Sequence, residues 1–364
     1  MRRLLTIVMM MAMSLTMQAA DTLTVEQSED NRPLSWLRRT VRGFSYIDEN
    51  YVEPQHYNWS VMLLGRYNYD LYRLRTTGDD RQSVSFSPRT GIKVGPYFGW
   101  RWVFLGYTLE LSNINFNFSS SKWLGIDASL YSAQIGADVF YHHTRNNYKI
   151  HDVDLGKGIN TDALEGLPFD GINVGMTGFN VYYIFNHQRF SYPAAFAQST
   201  CQKISCGSWM AGIGYIANTI EFDHEAMADL VKEYGGQDVK LDSGLMFNKV
   251  KYTNISASVG YAYNWVFARD WLFCASLSAA LAYKKSRGET ADDDKQGFNI
   301  GNFNFDGIGR FGLVYNNTRW YAGASAIMHS YNYKKSRFTA NNIQGEICLY
   351  VGYNFGLRSQ YKKK

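Results

Sequence analysis

Apolar and polar residues alternate along much of the chain. Val103, Leu105, Tyr107, Leu109 and Leu111 fall on one face of an extended segment, with Phe104, Gly106, Thr108, Glu110 and Ser112 on the other. The same period of two, the signature of a β-strand, recurs at 253–267. There Ile255, Ala257, Val259, Tyr261, Tyr263, Trp265 and Phe267 oppose Asn254, Ser256, Ser258 and Asn264. It recurs again from Trp271 to Tyr283, and at the C-terminal end through Ile347, Leu349, Val351, Tyr353 and Phe355. Each apolar face is five to seven alternate positions long, about the length of a tilted strand crossing a bilayer. Aromatic rings gather at the ends of these faces and small aliphatics at their middles, as in a lipid-facing band between interfacial girdles. Trp59, Tyr107, Tyr261, Tyr263, Trp265, Phe267, Trp271, Tyr353 and Phe355 are the expected interface aromatics. An open sheet edge is not tolerated in lipid, so the pattern predicts an all-β, transmembrane, antiparallel up-and-down β-barrel.

Short turns at Gly99-Trp100-Arg101, Ala268-Arg269-Asp270 and Asn316-Asn317-Thr318 alternate with the longer polar stretches 153–170, 223–249 and 287–297. Outer-membrane barrels keep short turns in the periplasm and long loops outside. That parity predicts about twelve strands: 57–76, 82–98, 102–117, 125–141, 143–152, 171–187, 204–222, 250–267, 271–286, 298–315, 319–333 and 341–356. One link breaks the pattern, QRFSYPAAFAQSTCQK at 188–203, which is long on the short-turn side and has room for a short strand of its own. Within 223–249, EAMADLVKEY predicts a short helix.

Residues 1–20 read as a signal peptide: Arg2 and Arg3, an apolar run from Leu4 to Met13, and Gln18-Ala19-Ala20 before Asp21. Residues 21–56 are a polar lead containing SWLRRTVRGF, expected as a periplasmic arm, an amphipathic helix or a plug, with the barrel at 57–364. Removing Arg2 and Arg3 from the 37 basic residues leaves 35 against 32 acidic ones, a net charge of +3. That balance argues against nucleic acid as a partner. Four cysteines are too few for a disulfide framework in 364 residues, though Cys201 and Cys206 could bridge in an oxidising periplasm.

Three stretches resemble an uncharacterised Bacteroidota outer-membrane barrel family, a domain of unknown function: FSYIDENYVEPQHYNWSVML at 44–63, SFSPRTGIKVGPYFGWRWVFLGY at 85–107 and VYYIFNHQRFSYPAAFAQST at 181–200. The resemblance implies a barrel in the outer membrane of a Gram-negative cell, carries no functional residues, and makes the 188–203 link a family trait.

No Gly-x-Ser-x-Gly elbow and no helical metal-ligand spacing is present. His142, His143 and His151 are the one candidate metal cluster, disfavoured because adjacent strand residues face opposite ways. Catalysis, a metal and a cofactor are therefore not expected, with a lipid-modifying enzyme as the remote alternative. The informative set is the expected lumen lining: Arg66, Asp70, Arg89, Lys93, Glu110, Gln134, Asp138, Asp306, Arg310, His329 and Glu346. Charges of both signs inside a narrow barrel must pair or stay wet. They predict either a small aqueous path for polar solutes or a paired network that fills the lumen. A narrow passive channel is the leading expectation. The alternative is a non-conducting structural or partner-binding barrel acting through its loops or periplasmic face. Lipids and the outer-membrane assembly machinery are the expected partners; a 22-strand plugged transporter is excluded by length.

Overall fold

The computed structural model describes residues 47–362 except 78–80, 90, 101–102, 107–108, 111–122, 146, 157–158, 236–240, 289–302 and 335–337. The signal peptide and most of the 21–56 lead, including SWLRRTVRGF, lie outside the described residues. The chain divides into two compact units, Met1–Asp48 and Glu49–Lys364, and the elements below belong to the second.

A short strand, β1 (Val52–Pro54), precedes β2 (Tyr57–Thr76), the first stave of the wall. The second stave is broken into β3 (Ser83–Pro88) and β4 (Lys93–Trp100), and the third is described as β5 (Val103–Gly106) and β6 (Leu109–Glu110). Staves four and five are β7 (Trp123–Tyr131) and β8 (Ile135–Arg145). The short strands β9 (Tyr148–Asp154) and β10 (Pro168–Phe169) lead to β11 (Ile172–Ile184). Helix α1 (Tyr192–Phe196) and strand β12 (Thr200–Gln202) come before β13 (Cys206–Phe222), and α2 (His224–Gly235) before β14 (Lys249–Ala268). The last four staves are β15 (Trp271–Gly288), β16 (Phe303–Asn316), β17 (Trp320–Lys334) and β18 (Phe338–Leu357).

Antiparallel ladders join β7, β8, β11, β13, β14, β15, β16, β17, β18, β2, β4 and then β5 and β6 in that order. The first and last staves pair from Tyr57 opposite Leu357 to Thr76 opposite Phe338, so the sheet curls back on itself. Among the described residues this makes twelve staves, as the parity of turns and loops predicts. Two assignments differ from expectation. The expected 125–141 strand is two staves, because Ser132 and Ile135 close a hairpin: Ser132 N–H and Oγ–H both donate to the Ile135 carbonyl, at 2.9 and 2.8 Å. The expected 143–152 stave does not exist; β9 leaves the wall and pairs with β3 and β10. The two errors cancel in the count. The 223–249 loop does contain the expected helix, while 287–297 lies almost wholly outside the described residues.

The wall is apolar outside and polar inside. Ile213, Ile255, Leu277, Phe305 and Leu349 are each more than 60% exposed, whereas Asn254, Asn264, Ser276, Lys284, Asp306 and Arg310 are buried. An apolar band of that size is unstable in water and marks a surface that another apolar phase covers. Interface rings cluster at the end of the short turns: Trp59 lies 5.4 Å from Phe98, Trp265 5.4 Å from Phe267, Trp271 5.4 Å from Tyr315, and Trp320 4.5 Å from Tyr353. Tyr261, Tyr263, Trp265, Phe267, Trp271 and Phe355 are exposed, Tyr353 is half-buried, and Tyr107 lies outside the described residues.

Leu277 sits within the apolar band of β15. Leu277→Arg is expected to destabilise the folded protein in lipid vesicles by about 2–4 kcal/mol, the cost of arginine at the bilayer midplane. Equilibrium urea unfolding in vesicles measures it, and an unchanged midpoint would place this face away from lipid.

Candidate functional site in the barrel lumen

The lumen is layered. At the long-loop end the second stave turns inward, and all six residues of β3 are buried. β9 pairs with its free side from Ser83 opposite Asp154 to Pro88 opposite Tyr148. Phe86 stacks on Phe169 at 5.2 Å and meets Phe222 at 5.8 Å. Helix α2 sets Met227 and Val231 against the same core, with Leu164, Leu241 and Leu245. Tyr252 of β14 and Tyr333 of β17 stack at 4.5 Å, 8° from parallel, beneath this cap.

At the short-turn end the link between β11 and β13 folds into the mouth. Ser191 is the N-cap of α1, accepting from Ala194 N–H at 3.3 Å, with Pro193 early in the helix where its missing donor costs nothing. Tyr192 is fully buried and donates to Ser276 Oγ of β15 at 2.8 Å. Its ring meets Tyr131 of β7 and Tyr182 of β11, each at 5.8 Å. Gln198 Nε2 donates to Tyr350 OH of β18 at 2.7 Å, and Asn264 Nδ2 of β14 donates to the Ser191 carbonyl at 2.8 Å. Gly312 of β16 faces the helix, where a Cβ would lie 3.3 Å from the Ala195 carbonyl oxygen. The insert therefore touches staves spread around the wall. β12 pairs with β1, Val52 opposite Gln202, which ties the start of the barrel to this insert. The short strand for which the sequence leaves room in 188–203 is β12.

Between the two closures lies a belt of charged and amide side chains. Arg310 Nη2 of β16 donates to Asp138 Oδ2 of β8 at 2.5 Å, with β11, β13, β14 and β15 lying between them along the wall. The pair is a crossbar. Ser129 Oγ donates to the other carboxylate oxygen at 2.8 Å, and the guanidinium carbon lies 5.1 Å over the Tyr182 ring. That ring lies flat on the wall because Gly136 is there; a Cβ would come 2.2 Å from it. Gln344 of β18 and His142 of β8 form a second crossbar at 2.6 Å. Lys284 donates to Asp306 at 3.0 Å, with side chains 1% and 3% exposed, and to the Asn332 carbonyl. Asn254 Nδ2 and the Asn332 N–H both reach Asp306 at 2.9 Å.

The remaining expected residues fall as follows. Arg66 pairs with Glu346 at 3.3 Å, and the register sets Lys93 opposite both Arg66 and Glu110. Asp70 shares the inward face of β2 with Tyr72, and His329 Nδ1 lies 3.1 Å from Tyr331 OH. Gln134 is buried in the hairpin between β7 and β8, where its Nε2 donates to Tyr183 OH at 2.7 Å. Arg89 is exposed and lies off the strands, in the break of the second stave between Pro88 and Lys93. His142, His143 and His151 do not gather: His142 is inside and His151 is exposed. All four cysteines are free thiols. Cys201 donates to the Asn316 carbonyl at 3.5 Å, while Asn186 Nδ2 contacts Cys206 Sγ at 3.1 Å. Burial, with the Glu53 carboxylate nearby, pushes the Cys201 thiol up to about 12. Lys284, Gln344 and Tyr192 are absent from the expected set. Strand parity alone marks Lys284 as inward, but no local pattern marks a tyrosine inside a link.

An antiparallel sheet curled back on itself, with an apolar exterior and a charged, hydrogen-bonded interior, defines the outer-membrane β-barrel class. Within it, the chain belongs to the DUF4421 family, a domain of unknown function, whose model matches residues 46–355. No curated protein matches the chain in sequence. Among solved structures it is similar to the outer-membrane protease OmpT of Escherichia coli, at 8% identity and a TM-score of 0.34, covering 82% of this chain and 97% of that one. It is also similar to the transport unit of the Escherichia coli autotransporter AIDA-I, at 12% identity and a TM-score of 0.31, covering 93% and 97%. The translocator domain of the Neisseria meningitidis autotransporter NalP is a third, at 9% identity and a TM-score of 0.29, covering 88% and 94%.

Proposed function

We propose that the protein is a non-conducting barrel of the outer membrane, closed by its own chain at both ends, that acts through its two faces and not through its lumen. The observation that carries this is the layered interior. The α1 insert fills one mouth, the β3–β9 cap fills the other, and Arg310–Asp138 bars the space between. Twelve staves enclose a backbone radius of roughly 11 Å, which these side chains span. In this reading the cell is a Gram-negative bacterium, of the Bacteroidota type that the sequence resembles. The short-turn end faces the periplasm, the partners are membrane lipids and the assembly machinery, and no catalysis is involved.

Single-channel recording of the full-length protein in a planar bilayer tests it. The expected result is silence at all voltages below membrane breakdown. Steady ohmic openings would reverse the ranking in favour of a narrow channel for small polar solutes. That second reading is favoured by the two-sign belt around Arg66, Lys93, Asp306 and Glu346, since a constriction lined by both signs sorts small ions. It requires the insert at 185–205 to leave the mouth.

A further inference from the structure

We propose that a cavity at the short-turn end binds a short apolar peptide with both termini free. This deepens the reading above by giving one sealed face a ligand, and it rests on that reading. The cavity has a volume of about 400 Å³, within the range of small-molecule sites. Its apolar walls are Ala194 of the insert with Leu272 and Val314 of the barrel. Lys203 and Arg269 supply positive charge and Glu53 and Asp270 negative charge. Apolar walls beside charges of both signs match a molecule that carries an ammonium, a carboxylate and hydrocarbon side chains.

The bases are free to re-aim. The Arg269 side chain is 96% exposed, with a 4.0 Å approach to Asp270, and Lys203 is exposed, its amine donating to the Glu49 carbonyl. Asn316 also lines the cavity and is 5% exposed. Its Oδ1 accepts the Thr318 N–H at 2.9 Å, while its Nδ2 has no hydrogen-bond partner among the described residues. A buried amide donor without an acceptor is costly, and a ligand carboxylate reached by a small shift of the 316–318 turn would supply one.

The backbone adds an independent mark. Among the described residues, the non-glycine positions with positive φ are Gln198 at 51°, Asp270 at 65° and Thr318 at 69°. Two of the three line this cavity and the third is in the insert that walls it. The left-handed region is an outlier for a β-branched residue such as Thr318, and strain of this kind collects at ligand sites because the surrounding contacts hold it in place. Here the Asn354 amide holds the Thr318 carbonyl at 2.8 Å.

Calorimetric titration of the full-length protein in detergent with the dipeptide Leu-Leu tests the assignment, alongside its N-acetylated and C-amidated forms. The free dipeptide is expected to bind. Each blocked form is expected to bind at least about tenfold more weakly, the loss of roughly one charge-assisted contact. A Lys203→Ala/Arg269→Ala variant, altered only at exposed side chains, should lose the preference for the free over the amidated carboxylate. No heat from the dipeptide at millimolar concentration, equal binding of all three forms, or an unchanged preference in the variant would each overturn the proposal. The two readings fail separately: a silent bilayer without peptide binding sinks only the cavity, and a conducting protein that binds peptide sinks only the seal.

Discussion

Arg310→Leu is expected to cost about 3–5 kcal/mol of folding stability, the penalty for stranding one member of a buried ion pair. Asp138 would keep the Ser129 hydroxyl but lose its guanidinium, and Arg310 itself is only 2% exposed where it now sits. The double variant Asp138→Leu/Arg310→Met removes both charges, and it should recover most of that loss because an apolar pair of similar volume avoids the desolvation cost. Urea unfolding of the three proteins in lipid vesicles, followed by tryptophan fluorescence, gives the comparison. A cost below about 1 kcal/mol for the single change would be the value of a solvated pair. It would mean that water reaches the crossbar and that the lumen is open.

Phe86→Ala is expected to destabilise the long-loop cap by about 3–5 kcal/mol, as for a large ring removed from a close-packed core. Phe86 is fully buried between Phe169 and Phe222 and lies on a strand with both faces covered. The loss should stay local, since the wall ladders do not depend on this ring. Hydrogen exchange at the amides of β9 is expected to quicken by two orders of magnitude or more, at roughly tenfold per 1.4 kcal/mol, while those of β15 are unchanged. Equal quickening in both would make the cap part of the wall's own cooperative unit.

The wall was legible in the sequence because a period of two leaves a repeated trace, and because alternating short and long connections constrain the parity of the strands. Ser132-Ala133-Gln134 carries little local turn signal because it contains none of Gly, Pro, Asn or Asp; its hairpin is closed by a serine hydroxyl. β9 shows the converse. YKIHDVD alternates like a stave, and nothing local says that its partner is β3 and not β8. Arg66, Asp138, Asp306, Arg310 and Glu346 could be placed on inward faces by parity alone. Their partners could not, because a crossbar such as Arg310–Asp138 depends on which staves stand opposite each other. The insert was visible only as an exception, a long link on the side of short ones; that Tyr192 and Gln198 enter the mouth is a tertiary fact with no periodic signature.

The pairing of Arg66 with Cys348 in the β2–β18 ladder also bears on how the molecule is made. The stave translated first has the second stave on one side but finds its other neighbour only when β18 arrives. A chain lacking β18 (Phe338–Leu357) would carry two long unpaired edges, on β2 and on β17, flanked by hydrocarbon side chains. Such edges recruit other chains. Contacts between the ends of a chain also form slowly, since the loop between them must close first. The β2–β18 ladder therefore cannot form before β18 has been made, the earlier staves have to be kept apart from other copies until then, and deletion of β18 should yield aggregate and not a smaller barrel.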